Sequence, residues 1–219
     1  MHNIQYAILT LLMSNKVRRF SELRPDRVDS NLFQYHLKKL ITDGYVEKIV
    51  GGYTLSARGL NYADRHSSSL KAERAQPKII AIVIVRNAKG EILVVQKPQQ
   101  PWLGTYHIPA GKVHDGEPAA EAGQRELLEK TGLNLDDIQQ IASVHVTIRL
   151  GDIVVSEYYG IVMRCDYDGA LTVGQWHTAG DELELCPSVS EVMSLIETDD
   201  HGLHEWDIKV TPNPAFQTS

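Results

Sequence analysis

The sequence predicts an α/β chain in two parts: a small helical unit closed by a hairpin over residues 1–68, and a larger strand-rich unit over 77–210. Three observations predict it. Apolar residues recur at helical spacing through the first 65 positions and in runs of strand length after Lys78. A polar, serine-rich stretch at 69–76 reads as a linker between them. The formal charge also changes sign across it. Residues 1–76 hold 12 Lys/Arg against 7 Asp/Glu and residues 77–219 hold 10 against 21, so a +5 unit precedes a −11 unit. Such a split predicts different partners for the two parts.

Each element follows in order. Ile4, Ala7, Ile8, Leu11 and Leu12 mark a first helix over 3–14. A short helix at 20–23 stops before Pro25. Asp29 or Ser30 caps a third helix, from Asn31 to about Asp43, with an apolar stripe of Leu32, Phe33, Leu37, Leu40 and Ile41 and with Gly44 ending it. Residues 45–50 and 53–55 flank Gly51-Gly52 and predict a two-residue hairpin turn. Ser56 opens a fourth helix through Leu60 and Tyr62. In the second unit, 79–85 and 92–95 form a hairpin of buried strands around 87–90. Further strands are expected near 141–150 and 153–163, a closing helix over 191–198, and a loose tail over 211–219.

Composition narrows the function classes. At 219 residues, 42% hydrophobic and 23% charged, the chain has room for one large or two small globular domains. Two cysteines outside any CxxC pair argue against a disulfide framework and fit a reduced cytosolic setting, so a cytoplasmic location is expected. No apolar run approaches the roughly 20 residues needed to span a bilayer, and the first residues lack a basic n-region. A membrane partner is not expected.

The chemistry sits at 111–133. Gly111, Glu117, Arg125, Glu126, Glu129 and Gly132 stand at fixed spacing, a match that chance gives on the order of 10⁻⁵ per chain, so the signal is specific. The segment resembles the Nudix signature: Gly, five residues, Glu, seven residues, then Arg-Glu-apolar-any-Glu-Glu-any-Gly-apolar. That resemblance implies an α/β/α sandwich with a mixed sheet. It also implies cleavage of a phosphoanhydride in a nucleoside-diphosphate-linked small molecule with Mg²⁺ or Mn²⁺. Highly charged pyrophosphate calls for hard divalent cations held by carboxylate oxygens. On a helix, Glu126, Glu129 and position 130 share one face. Glu126, Glu129, Glu117 and the Gly111 (or Ala110) carbonyl are the metal-ligand candidates. Arg125, Glu126 and Glu129 are the catalytic ones, with Arg125 orienting a carboxylate of the box through its fork. Lys112, Lys130 and Tyr106 are candidates for holding substrate.

One position departs from the signature. Its second Glu of the pair is Lys130 here, and an ammonium repels rather than ligates Mg²⁺. Three readings stay open: Lys130 pairs with Glu126 as an ordinary i,i+4 partner, it takes the place of a cation and holds phosphate, or the site binds ligand without cleaving it. Glu157, Glu182 and Glu184 could compensate, or be solvated surface charges. Trp102, Tyr106 and His107 could stack on a base or belong to the core. His114 reads as a solvated loop residue and His145 as structural, and His177, His201 and His204 lack metal spacing.

The first unit, in the order helix, helix, helix, hairpin, helix, resembles a small winged helix-turn-helix domain of bacterial and archaeal transcription regulators. The resemblance rests on His36-Leu37-Lys38-Lys39-Leu40, Gly44-Tyr45-Val46 and Thr54-Leu55-Ser56, and covers about residues 3–65. It implies duplex DNA as a partner. Ser30, Asn31, Gln34, Tyr35 and Lys38 would face the major groove, Lys48 the wing, and Arg18, Arg19 and Lys39 phosphates. Use of the same unit only for dimerisation stays open, and a homodimer is compatible with the sequence. Two functions therefore compete: a metal-dependent hydrolase carrying a DNA-binding domain, and a transcription regulator whose degenerate Nudix domain senses a nucleotide-type ligand.

Overall fold

The computed structural model describes residues 1–67, 72–73, 76–196 and 201–211. The first unit contains α1 (Asn3–Met13), α2 (Phe20–Leu23), α3 (Ser30–Thr42), β1 (Val46–Ile49), β2 (Gly52–Leu55) and α4 (Ala57–Arg65). Asp29 caps α3 by accepting from the N–H groups of Asn31 and Leu32. Ser56 caps α4 by accepting from Gly59. Ile8, Leu9 and Leu12 of α1, Leu23, Phe33, Leu37 and Leu40 of α3, Val46, Leu55 and Tyr62 share one core.

The helix stripes differ from the sequence reading. On α3 the inner residues are Phe33, His36, Leu37 and Leu40, while Leu32 stays 47% exposed and Ile41 is also exposed. On α1 Gln5 and Leu9 are buried and Leu11 is turned outward. The centre of each stripe is the expected one, Ile4, Ile8 and Leu12 on α1 and Phe33, Leu37 and Leu40 on α3, and packing decided only its edges. The hairpin turn is Val50-Gly51, because Ile49 pairs with Gly52 and Gly52 already belongs to β2.

His66–Ser67 (β3) and Ala72–Glu73 (β4) pair briefly where the linker was expected. The remaining residues of the expected linker, 69–71 and 74–75, lie outside the described ones, apart from Gln76, as does the tail from 212.

The second unit is built on a mixed sheet. In sequence it contains β5 (Lys78–Arg86), β6 (Ile92–Gln96), β7 (Tyr106–His107), β8 (Ala110–Lys112), α5 (Ala119–Thr131), β9 (Gln139–Leu150), β10 (Ile153–Asp166), β11 (Gln175–His177), α6 (Val189–Met193) and β12 (Leu203–Val210). The strand order is β11-β6-β5-β10-β9-β12, with β7 beside β6 and β8 beside β5. β5 and β10 run parallel, as do β9 and β12, and the other pairings are antiparallel.

β5 explains its own unbroken apolar run. Ala81, Val83 and Val85 pack with Leu127 of α5 on one face, while Ile82 and Ile84 pack with Val189 and Val192 of α6 on the other. The closing helix is shorter and earlier than 191–198, ending at Met193 before a turn, and residues 197 and 198 lie outside the described ones. β12 was not expected. Its inward positions His204, Trp206, Ile208 and Val210 alternate with outward polar ones at the period of a strand.

The two units touch through α4. Asn61 Nδ2 donates to the Val154 carbonyl at 2.8 Å, and Asp64 is ion-paired with Lys78 and accepts from the Ser156 hydroxyl at 3.0 Å. The Gln100 N–H also donates to the Met13 carbonyl at 2.8 Å.

Candidate active site

The signature segment folds as strand, loop and helix. β8 lies against β5 with Gly111 opposite Ala81, the loop turns at Gly116 (φ +74°), and α5 begins after Pro118. Gly132, in a left-handed conformation, closes the helix.

Arg125 ties these pieces together. Its Nε and Nη2 donate to the two oxygens of Glu117 at 2.8 and 2.9 Å. Nη2 also donates to the Lys112 carbonyl at 2.9 Å, and Nη1 donates to Glu126 Oε1 at 2.8 Å, with Glu129 Oε1 3.6 Å away. The Arg125 guanidinium, helped by the His114 N–H, holds the Glu117 carboxyl down to about 2. Glu117 in turn raises the pKa of Arg125.

Glu117 was expected among the metal ligands. Both its oxygens accept from Arg125, and one also from the His114 N–H, an arrangement that fixes Arg125. Glu126 is buried and lies against Gly111. A methyl group at Gly111 would land inside the Glu126 carboxyl group, so only glycine admits this approach. Glu129 shares the helix face but is 58% exposed. Lys130 Nζ lies 3.2 Å from Glu126 Oε2, the ordinary i,i+4 pairing among the three readings.

Beside this cluster opens a cavity of about 240 Å³. Gly111 and Lys112 form one end, Ile80, Ile82 and Tyr158 its sheet wall, and Trp102 and Lys97 the loop side. Ala63 and Asp64 of α4, from the first unit, close it. A second cavity, about 420 Å³, is lined by Tyr106, His107, Lys130 and residues 173–175. His107 lines both cavities. Burial, reinforced by the charge of Lys97, pushes its pKa down to about 4, so the ring is neutral near pH 7. His107 Nδ1 lies 2.8 Å from the Ile108 carbonyl oxygen.

Among the other expected residues, Trp102 packs against the core while lining the first cavity. His145 stacks on Tyr159 at 4.2 Å and pairs with Glu157 and Glu205, a structural arrangement away from the box. Glu182 and Glu184 are exposed. Ser30, Asn31, Gln34, Tyr35, Lys38 and Lys48 are all exposed on α3 and β1. Sequence reasoning missed Lys97, Lys78 and Asp64. They belong to no motif, and only the folded arrangement of α4, β5 and the segment after β6 brings them to one cavity.

A family model for the NUDIX domain matches residues 76–213. The chain belongs to the Nudix family. Among curated relatives, the 8-oxo-dGDP phosphatase NUDT18 of Mus musculus is 35% identical over 54 residues, covering 25% of this chain and 17% of the relative. The RNA pyrophosphohydrolase of Erythrobacter litoralis (strain HTCC2594) is 31% identical over 83 residues, covering 38% of this chain and 51% of the relative. The Nudix chain thus spans about half or less of the length of these two relatives. Among solved structures, the NUDIX domain of Shewanella oneidensis NrtR complexed with ADP ribose aligns with a TM-score of 0.46 at 14% identity, covering 61% of this chain and 93% of that one.

Nudix hydrolases generally use divalent metals such as Mg²⁺. The donors present fit one such ion: two hard carboxylates, Glu126 and Glu129, on one helix face, with the backbone at Gly111 packed against Glu126. The Lys130 ammonium stands on the second oxygen of Glu126, where a further carboxylate would complete a larger set. Among the described residues no three His, Cys, Asp or Glu side chains converge on one point. No helix among them is long and apolar enough to cross a membrane.

Proposed function

We propose that this Nudix protein hydrolyses the phosphoanhydride of a nucleoside-diphosphate-linked compound, and that its first unit is a winged helix-turn-helix that binds duplex DNA. The observation that carries the hydrolase reading is the placement of Glu126, locked by Arg125 and wedged against Gly111, which itself lines a cavity. In the reaction, water adds to phosphorus, the bridging P–O bond breaks, and two phosphate-bearing products leave with release of a proton. A divalent cation held by Glu126, Glu129 and the Gly111 carbonyl would polarise the phosphoryl oxygens and lower the pKa of the attacking water. Arg125 keeps Glu126 in one rotamer, and Glu117 keeps Arg125 in place. Lys112, at the cavity end, supplies a positive charge for the diphosphate.

The test is a panel of nucleoside diphosphate compounds with Mg²⁺ and with Mn²⁺, using wild type and Lys130→Glu. The substitution removes an ammonium 3.2 Å from Glu126 and adds an oxygen ligand on the same face. Turnover is expected to rise about ten-fold, which about 1.4 kcal/mol of transition-state stabilisation supplies. A fall would mean that Lys130 itself holds phosphate. No turnover of any compound by either protein would sink the hydrolase reading.

A specific observation favours the regulator reading beside it. The start of α4 is tied to the end of α3, where Arg58 donates to the Asp43 carbonyl at 2.8 Å and Ser56 Oγ bonds to the Gly44 carbonyl. The end of α4 closes the ligand cavity through Ala63 and Asp64. One nine-residue helix therefore links the proposed recognition helix to the proposed ligand site. The full chain is expected to bind promoter-length duplexes, with affinity falling steeply between two salt concentrations as phosphates are neutralised. Lys38→Ala and Lys48→Ala should each weaken it several-fold. Absence of binding at low salt to any duplex, including the gene's own upstream region, would remove the DNA reading.

A further inference from the structure

The cavity beneath α4 holds one ammonium group with no counter-ion of its own. The Lys97 backbone is fixed at the end of β6, its N–H donating to Thr105 and its carbonyl accepting from Gly104, both at 2.8 Å. Its side chain lines the cavity and, among the described residues, makes no hydrogen bond or ion pair. The one carboxylate lining the cavity with it, Asp64, already serves Lys78, and its other charged or ionisable neighbours are cationic or neutral. Lys78 is ion-paired with Asp64, whose carboxylate also accepts from Ser156. His107 is held neutral, and Lys130, on its far side, is engaged by Glu126. The Cys186 thiol is kept protonated by burial and is hydrogen-bonded with Thr105.

An ammonium so placed loses hydration without gaining an ion pair, which costs folding free energy. Burial accordingly lowers its pKa. A cost of this kind persists where the group meets an anion that the chain itself does not supply. Lys97 and Gly111 both line the cavity, and Glu126 of α5 packs against Gly111.

We propose that Lys97 is an anion-binding residue of this cavity, gripping an anionic oxygen group of the nucleotide ligand. The inference rests on the ligand reading of the cavity given above. The chemistry has two sources: the diphosphate itself, or a carboxylate or phosphomonoester elsewhere on the ligand. A matched pair separates them, UDP-glucose and UDP-glucuronate, which differ by one carboxylate. Calorimetric titration of wild type, Lys97→Met and Lys97→Arg against both needs no turnover.

Lys97→Met is expected to lose at least ten-fold in affinity, and Lys97→Arg, which keeps the charge, to retain it. An equal loss for both nucleotides assigns Lys97 to the diphosphate, and a loss for UDP-glucuronate alone assigns it to the extra anion. In thermal denaturation without ligand, Lys97→Met should melt no lower than wild type, because a half-buried charge without an ion pair has been removed. Unchanged affinity of Lys97→Met for nucleotides that wild type binds overturns the assignment alone. Failure of wild type to bind either nucleotide overturns the ligand reading together with it.

Discussion

Gly111→Ala is expected to cut hydrolysis at least a hundred-fold while leaving the protein folded. The added methyl would fall within the Glu126 carboxyl group, and it cannot be relieved by a flexible chain end, because Glu126 is buried and held by Arg125 and Lys130. The carboxylate must swing away from the β8 backbone, which separates the two donors assigned to the metal. Gly111 does not have a positive φ, so alanine meets no backbone strain there, and the effect is confined to the site. A hundred-fold corresponds to about 2.7 kcal/mol of lost transition-state stabilisation. Steady-state turnover of the best compound in the panel, beside a melting curve, decides it. Activity within a few-fold of wild type would show that Glu126 does not work from the position it occupies here.

Arg125→Ala is expected to act on stability as much as on turnover. Removing the guanidinium strips Glu117 of its two guanidinium hydrogen bonds and leaves the buried Glu126 with Lys130 alone. Breaking such a network costs about 2–3 kcal/mol, less than a fully buried pair because Arg125 keeps a quarter of its surface exposed. For a chain of this size that lowers Tm by roughly 5–10 °C. Lys in place of Arg is not expected to restore it, since an ammonium cannot span the two Glu117 oxygens as a fork does.

The pH dependence carries a sign. The folded Glu117 carboxyl sits at about 2, below its ordinary value near 4.5. Its contribution is therefore complete above about 4.5 and is lost as pH falls toward 2. Arg125→Ala should flatten that acid limb. Melting curves between pH 3 and 7 test it. Parallel curves for the two proteins would mean that the Arg125–Glu117 pair contributes nothing to folding.

The residue spacing at 111–133 was legible because it is local. The i, i+3 and i+4 positions of a helix share a face whatever surrounds them, so the box residues, the helix and its glycine cap could be read in order. The continuous apolar run of β5 announced a strand buried on both faces, and the fold supplies α5 on one and α6 on the other. The charge split was legible too, because it needs only counting.

What the sequence left open depends on desolvation and on neighbours distant along the chain. That the Lys130 ammonium lies on Glu126 Oε2 follows only from the folded helix and its surroundings. That both oxygens of Glu117 are held by Arg125, eight residues along, likewise shows only in the fold. On α3 Phe33, Leu37 and Leu40 are buried as the spacing predicts, while packing decided the edges, burying His36 and leaving Leu32 and Ile41 outside. The cavity draws on α4, β5, the loop after β6, β8 and β10, elements that no local pattern connects. Lys97 is one lysine among many in the sequence, and only the tertiary structure places it, half-buried, in a cavity with other cationic groups.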